Sequence, residues 1–221
     1  MDTSIQKDHA IDVVLFDFGG VLAEEGWKQG FRVIARANGL DGARLIQEAS
    51  DVVYESGYIL GKGSEMSFWN MLKRKTGIQG DRAAFRQEIV SRFILRNGMI
   101  ALVKKLKSEN LIVGILSDQT DILDQLNARF DFFKEFDFVF NSYHLGKGKR
   151  NISLFDDIAG FLKTPPERIL FIDDDIGHVL RARNKGWNAI HYTDANSFYL
   201  EMGKFFTPQL LAGIPGINNP R

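Results

Sequence analysis

The sequence predicts an α/β protein, an open parallel sheet carrying a small helical domain after its first strand, and three observations support this. Five short apolar runs are rich in β-branched or aromatic residues. Helix-period segments alternate with them. One long interval, about 24–96, holds no strand candidate. Near-continuous apolar stretches such as VVLF, LIVGIL and ILFI suit strands covered on both faces, as in a parallel sheet. Their alternation with helical segments gives βαβ units.

The first run, Ile11–Phe16, is followed by the strand-free interval, where Gly39, Gly57–Gly63 and Gly77–Gly80 punctuate amphipathic stretches. Phe68, Trp69, Met71 and Leu72, then Phe85, Ile89 and Phe93, recur at helical spacing, so a small helical bundle is expected. A helix over about 98–109 leads to the strand Leu111–Leu116, and one over 120–128 to Phe136–Asn141. Helices over 152–162 and 176–185 precede the strands Arg168–Ile172 and Asn188–Tyr192. From Thr207 the chain carries Pro208, Gly213, Pro215, Gly216 and Pro220 and reads as irregular. The expected organisation is a core of 9–22 and 96–206, a helical insert of 23–95 and a tail of 207–221.

Composition narrows the function classes. Lysine and arginine number 28 against 28 acidic residues, so no global field draws the 221-residue chain to nucleic acid or to an anionic membrane. No run approaches the roughly 20 apolar residues of a membrane span. The polar segment Met1–Ala10 lacks the apolar stretch of a secretion signal, and a cytoplasmic protein, monomer or homodimer, is expected. Without cysteine there is no disulfide, thiolate nucleophile or cysteine metal site; any nucleophile is oxygen or nitrogen.

Open parallel sheets bind ligands beyond the carboxyl ends of their strands. Here the first strand ends in Asp17 and the second in Ser117 and Asp118, Lys147, Lys149 and Arg150 follow the third, and the fourth ends in Asp173, Asp174 and Asp175. Each has a purely structural alternative. Asp17 before Gly19 and Gly20 suits a turn, Ser117 and the three aspartates suit helix caps, and the basic run suits a solvated loop. Four such features at successive strand ends point instead to one shared site.

These residues carry a resemblance to the haloacid dehalogenase-like (HAD) superfamily of hydrolases. Its first motif is matched by Val13-Val14-Leu15-Phe16-Asp17-Phe18-Gly19-Gly20-Val21-Leu22, its second by Ile115-Leu116-Ser117-Asp118. Its lysine motif falls within Ser142 to Lys149, in a register that selects Lys149, and its acidic motif is Leu170-Phe171-Ile172-Asp173-Asp174-Asp175. The resemblance spans nearly the whole chain and implies a Rossmann-like core with a cap at 23–95 that closes over the site. It further implies a Mg²⁺-dependent phosphatase of a small phosphorylated substrate. Asp17 would be the nucleophile; Asp17, the Gly19 carbonyl and Asp174 would hold the metal; Ser117 and Lys149 would bind the transferring phosphoryl group, and Asp173 would orient Lys149 or a metal-bound water.

The sequence also departs from the family. Gly19 stands where these phosphatases usually carry a second aspartate, the general acid and base, a function worth roughly 10²–10⁴ in rate. Glu24, Glu25 or a metal-polarised water are candidate substitutes, against the favoured reading that both glutamates face solvent. Asp118 replaces a frequent Asn, Arg150-Asn151 a frequent Pro-Asp, and His178 a frequent Asn. His178 is expected in helix packing or a local hydrogen bond, His144 and His191 in structural roles, and His9 in the lead-in. Trp27, Phe31, Arg32, Tyr54, Tyr58 and Trp69 are available to the cap's inner face, but aromatics at helical spacing are read as core before ligand contacts, and none is assigned to substrate binding. Three alternatives stand beside the phosphatase. One is 2-haloacid dehalogenation by Asp17, another C–P hydrolysis using Lys62, Lys73 or Lys75, and the third a weakened protein that binds metal or phosphorylated ligand without turnover.

Overall fold

The structure, a computed structural model, describes residues 11–214; His9, Pro215, Gly216 and Pro220 lie outside them. Five parallel strands form one sheet: β1 (Val13–Phe16), β2 (Ile112–Ser117), β3 (Phe138–Asn141), β4 (Ile169–Asp173) and β5 (Asn188–His191), in the order β3-β2-β1-β4-β5. Each expected strand is present, most of them beginning a residue or two later than the apolar run. Side chains alternate between two faces, as a pleated strand requires. Val14, Phe16, Val113, Ile115, Leu170 and Ile172 belong to one core, which includes α5 (Asn97–Ser108), α6 (Ile122–Phe130) and α10 (Ala195–Met202). Val13, Leu15, Leu116 and Phe171 belong to a second, built with α8 (Ser153–Leu162) and α9 (Ile176–Asn184). Both faces are therefore buried, which is why the strands lack a polar stripe. The chain winds from β1 out to β3, then returns to β4 on the other side of β1, so its direction reverses at the β1–β4 pair.

Between β1 and α5 lie α1 (Gly26–Ala37), α2 (Gly42–Glu55), α3 (Glu65–Thr76) and α4 (Arg82–Ser91). Their starts are written in the sequence: Asp41, Ser64 and Asp81 each accept a hydrogen bond from the backbone three residues on. Gly77, at a φ of 75°, ends α3 in the left-handed conformation. Phe31, Phe68, Trp69 and Phe85 form an aromatic core within the bundle. Helix α1 packs tightly on α4, since a Cβ on Gly30 would sit 2.7 Å from the Ile89 Cα.

Two expectations need correction. The chain from Thr207 is not wholly irregular: Thr207 caps α11 (Pro208–Leu211), with Pro208 in the first turn and Leu210 and Leu211 buried. Proline and glycine frequency overstated the irregularity because proline at the start of a helix is favourable. Helix α10, capped by Asp194, was not anticipated, its apolar stripe being only Phe198 and Met202 among buried residues. Among the described residues no helix is long and apolar enough to cross a membrane.

The bundle is fastened to the sheet by polar contacts. The Tyr54 hydroxyl donates to Asp118 and the Tyr58 hydroxyl to Asp121. Arg86 of α4 donates to Asp121 at 3.1 Å, and the Ser142 hydroxyl, at the start of α7 (Ser142–Leu145), donates to the Ile59 carbonyl at 2.8 Å.

Candidate active site

Strand β1 delivers Asp17 to the reversal point, where its backbone amide donates to the Ile172 carbonyl of β4 at 2.8 Å. The neighbouring Phe18 amide donates to Asp17 Oδ1 at 2.7 Å, fixing the carboxylate. Lys149 reaches this point fully buried, with Nζ 3.0 Å from Asp17 Oδ1 and 2.6 Å from Asp173 Oδ2. A buried cation without partners is very costly, and two carboxylates relieve that cost. Lys147 points elsewhere, to Ser153 and Asp157. Of the basic run, Lys149 alone joins the acids.

The three aspartates after β4 separate into distinct tasks. Asp173 accepts from Lys149, from His178 Nδ1 at 3.2 Å and from the Asp175 amide at 2.7 Å. Asp175 caps α9 through the Gly177 and His178 amides. Asp174 is half-buried, its carboxylate 3.5 Å from Lys28 Nζ and its backbone carbonyl accepting from His191 Nε2 at 3.0 Å. Gly20, at a φ of 84°, makes room for it: a Cβ there would fall 2.5 Å from the Asp174 Cγ.

One oxygen from each of Asp17, Asp173 and Asp174 lies within 4.8 Å of the others. Three carboxylates so close repel one another, and a hard divalent cation with oxygen ligands fits that donor set. Asp173 is fully buried and held by Lys149, His178 and a backbone amide, whereas Asp17 and Asp174 line the cavity together with Gly19, so these two carboxylates are the ones that face a cation there. Electrostatics agree. Burial pushes the Asp17 carboxyl up to about 7, with Asp173 and Asp174 adding to the rise, while Lys149 and the Ser117 hydroxyl pull against it. Burial would also raise Asp173, but Lys149 and His178 outweigh it and hold that carboxyl down at about 2. Burial works against charge on Lys149, yet Asp17, Asp173 and Asp118 hold its ammonium well above the usual lysine range.

Ser117 ends β2, buried, in register with Asn141 of β3. Asp118 does not present a free charge to the site: its carboxylate accepts from the Tyr54 hydroxyl and from the Lys149 amide at 2.9 Å. Asp17, Gly19, Ser117, Lys149 and Asp174 line one cavity of about 160 Å³. From the bundle, Trp27, Lys28, Val53 and Tyr54 also face it. Lys28 had no signal except its position in the first turn of α1, just after the β1 turn. Lys62, Lys73 and Lys75 are not among the lining residues; Lys73 binds the Gly80 carbonyl and Lys75 binds Glu55. His144 pairs with Asp124.

The reading that both Glu24 and Glu25 face solvent fails for Glu25. Glu24 pairs with Arg96 at 3.0 Å and is not among the residues that line the cavity. Glu25 lines the cavity, partly buried, where it caps α1 by accepting from the Lys28 amide at 2.7 Å. Neighbours on a helix start face different ways, and the chain's turn into α1 selected which glutamate points inward.

No curated protein matches the chain. Among solved structures, a predicted HAD-like family hydrolase from Porphyromonas gingivalis superposes with a TM-score of 0.69 at 22% identity, over 88% of this chain and 97% of that one. A HAD family enzyme from Bacteroides thetaiotaomicron gives a TM-score of 0.66 at 20% identity, over 83% and 93%. The L-2-haloacid dehalogenase from Xanthobacter autotrophicus gives 0.60 at 18%, over 91% and 86%. At these identities the likeness is one of fold. The profile of the haloacid dehalogenase-like hydrolases matches residues 11–184, most of the chain, and the protein belongs to that family.

Proposed function

We propose that the protein is a Mg²⁺-dependent hydrolase of small phosphate monoesters and that Asp17 is its nucleophile. The observation that carries this reading is the trio Asp17, Asp173 and Asp174 around a fully buried Lys149. A dehalogenating aspartate needs no cation, so paired donors beside it are better explained by phosphoryl chemistry. The Bacteroides enzyme has also been crystallised in complex with magnesium and inorganic phosphate, which supports the same reading.

Asp17 and Asp174 would hold the metal, which would supply charge neutralisation for an anionic substrate. The chain's own groups do the rest. The Asp17 carboxylate attacks phosphorus, with its orientation set by the Phe18 amide. Lys149, held by Asp173, offsets the repulsion between Asp17 and the phosphoryl oxygens, and the Ser117 hydroxyl donates to one of them. Helices α1–α4 act as the cap, residues 23–95 of the chain, over a core of 9–22 and 96–206.

Assay against a panel of phosphate monoesters and 2-haloacids tests this. Phosphate release requiring Mg²⁺, lost by ~10³-fold or more in Asp17→Asn, is expected. Mg²⁺ should raise the thermal midpoint of the wild type and not that of Asp174→Asn. Metal-independent halide release would replace the reading with dehalogenation, and Mg²⁺ binding without turnover would replace it with a binding protein.

A further inference from the structure

Expelling an alkoxide from a phosphate monoester needs a proton donor near the leaving oxygen, and the residue two beyond Asp17 is a glycine with no proton to give. The other ionisable groups around the cavity are engaged: Lys28 pairs with Asp174 at 3.5 Å and Arg150 with Asp51 at 3.8 Å. Asp118 is held by Tyr54 and the Lys149 amide, Asp175 caps α9, and His178 is bound to Asp173. Lys149 is fixed as a cation between two carboxylates. Glu25 is different. Its Oε2 accepts from the Lys28 amide, which anchors the side chain, while Oε1 sits 3.9 Å from where a Cβ on Gly19 would be. Phe93 at 3.3 Å and Gln119 at 3.6 Å also crowd that position, and Glu25, the cap residue of α1, is the carboxyl among the three groups that approach it.

We infer that Glu25 is the general acid and base of this site, reaching across Gly19 from the N-terminus of α1. The inference rests on the phosphatase reading. In the first step the bond from phosphorus to the ester oxygen breaks as the bond to Asp17 forms, and the Glu25 proton passes to the departing oxygen to give the alcohol. In the second, the Glu25 carboxylate takes a proton from water as the water oxygen bonds to phosphorus and the bond to Asp17 breaks. Inorganic phosphate, free Asp17 and protonated Glu25 result. The surroundings suit both steps: burial raises the carboxyl above the usual glutamate range, as does Asp174, while Lys28 and Arg32 limit the rise.

Glu25→Gln tests this while preserving the cap, because the amide oxygen can still accept from Lys28. With an alkyl phosphate, the variant should phosphorylate Asp17 ~10²–10⁴-fold more slowly than wild type in rapid-quench experiments. With dinitrophenyl phosphate, whose leaving group needs no proton, the loss of that first step should be below about tenfold. Phosphoprotein should then accumulate, seen by intact-mass spectrometry after acid quench, because water attack lacks its base. Gly19→Asp added to Glu25→Gln should recover part of the alkyl phosphate rate, and this arm holds even if the single variant is less stable. Equal losses on both esters, no loss on either, or no accumulation of phosphoprotein would overturn the role of Glu25, while Mg²⁺-dependent turnover abolished by Asp17→Asn would keep the phosphatase. Failure of the wild type on every ester would sink both.

Discussion

Asp17 holds its proton more tightly when folded than the ordinary carboxyl value of 3.8 allows, because burial raises it to about 7. The folded state then binds more protons than the unfolded chain between those values, so the contribution of Asp17 to stability falls as pH rises from 3.8 to about 7 and is flat above. Urea midpoints measured in chelator across this range should decline with pH, and Asp17→Asn should remove part of that slope. Mg²⁺ should reduce the decline in the wild type by neutralising the same carboxylate. At this scale the neighbouring acids are not interchangeable: Asp173 positions Lys149, Asp174 lines the cavity, and Asp175 caps a helix. Composition could place three acids at a strand end, but not divide their tasks, because the division depends on which cation and which amides the fold brings to each oxygen.

Helix α1 sets the position of both Glu25 and Lys28, and its own position is set by glycine. Gly26 and Gly30 lie on one face of the helix, where a Cβ would meet the Phe93 ring at 2.4 Å and the Ile89 Cα at 2.7 Å. The Ile89 contact is with backbone of α4 and cannot be relieved by a rotamer change. Gly30→Ala should therefore destabilise the protein by about 1–3 kcal/mol despite alanine's better helix propensity, read from urea denaturation. A gain in stability would mean that α1 and α4 separate easily. The bundle was legible from its glycine breaks and helical spacing, but its helix boundaries were not read although Asp41, Ser64 and Asp81 are local cap signals, and α10 was hidden by its weak apolar stripe. Its docking on the sheet relies on a few large buried side chains, a tertiary feature with little periodicity.

Across the whole molecule, the bundle and the sheet meet at Tyr54–Asp118 and Tyr58–Asp121, with Arg86 supporting the second pair. Asp118, a departure from the usual family residue, thereby becomes an anchor for α2 instead of an unpaired negative charge. Tyr54→Phe and Tyr58→Phe should each cost about 1.5–3 kcal/mol, the range for hydrogen bonds to charged groups. Amide exchange across α2 should rise more than across β1 and β4, and equal increases throughout would show global unfolding instead of loosening between the two parts. By itself the sequence determined the alternation of strands and helices, the inserted bundle, and the convergence of Asp17, Ser117, Lys149 and Asp173–Asp174 at strand ends. These follow from periodicity and from the rule that parallel strands deliver their last residues to one edge. Only the tertiary structure decided that Glu25 turns inward while Glu24 pairs with Arg96, that Lys28 approaches Asp174, and that Tyr54 claims Asp118. The turn of Glu25 is set by the local start of α1, whereas the other choices depend on chain segments far apart in sequence and on the high cost of burying a charge unless a partner from another element meets it.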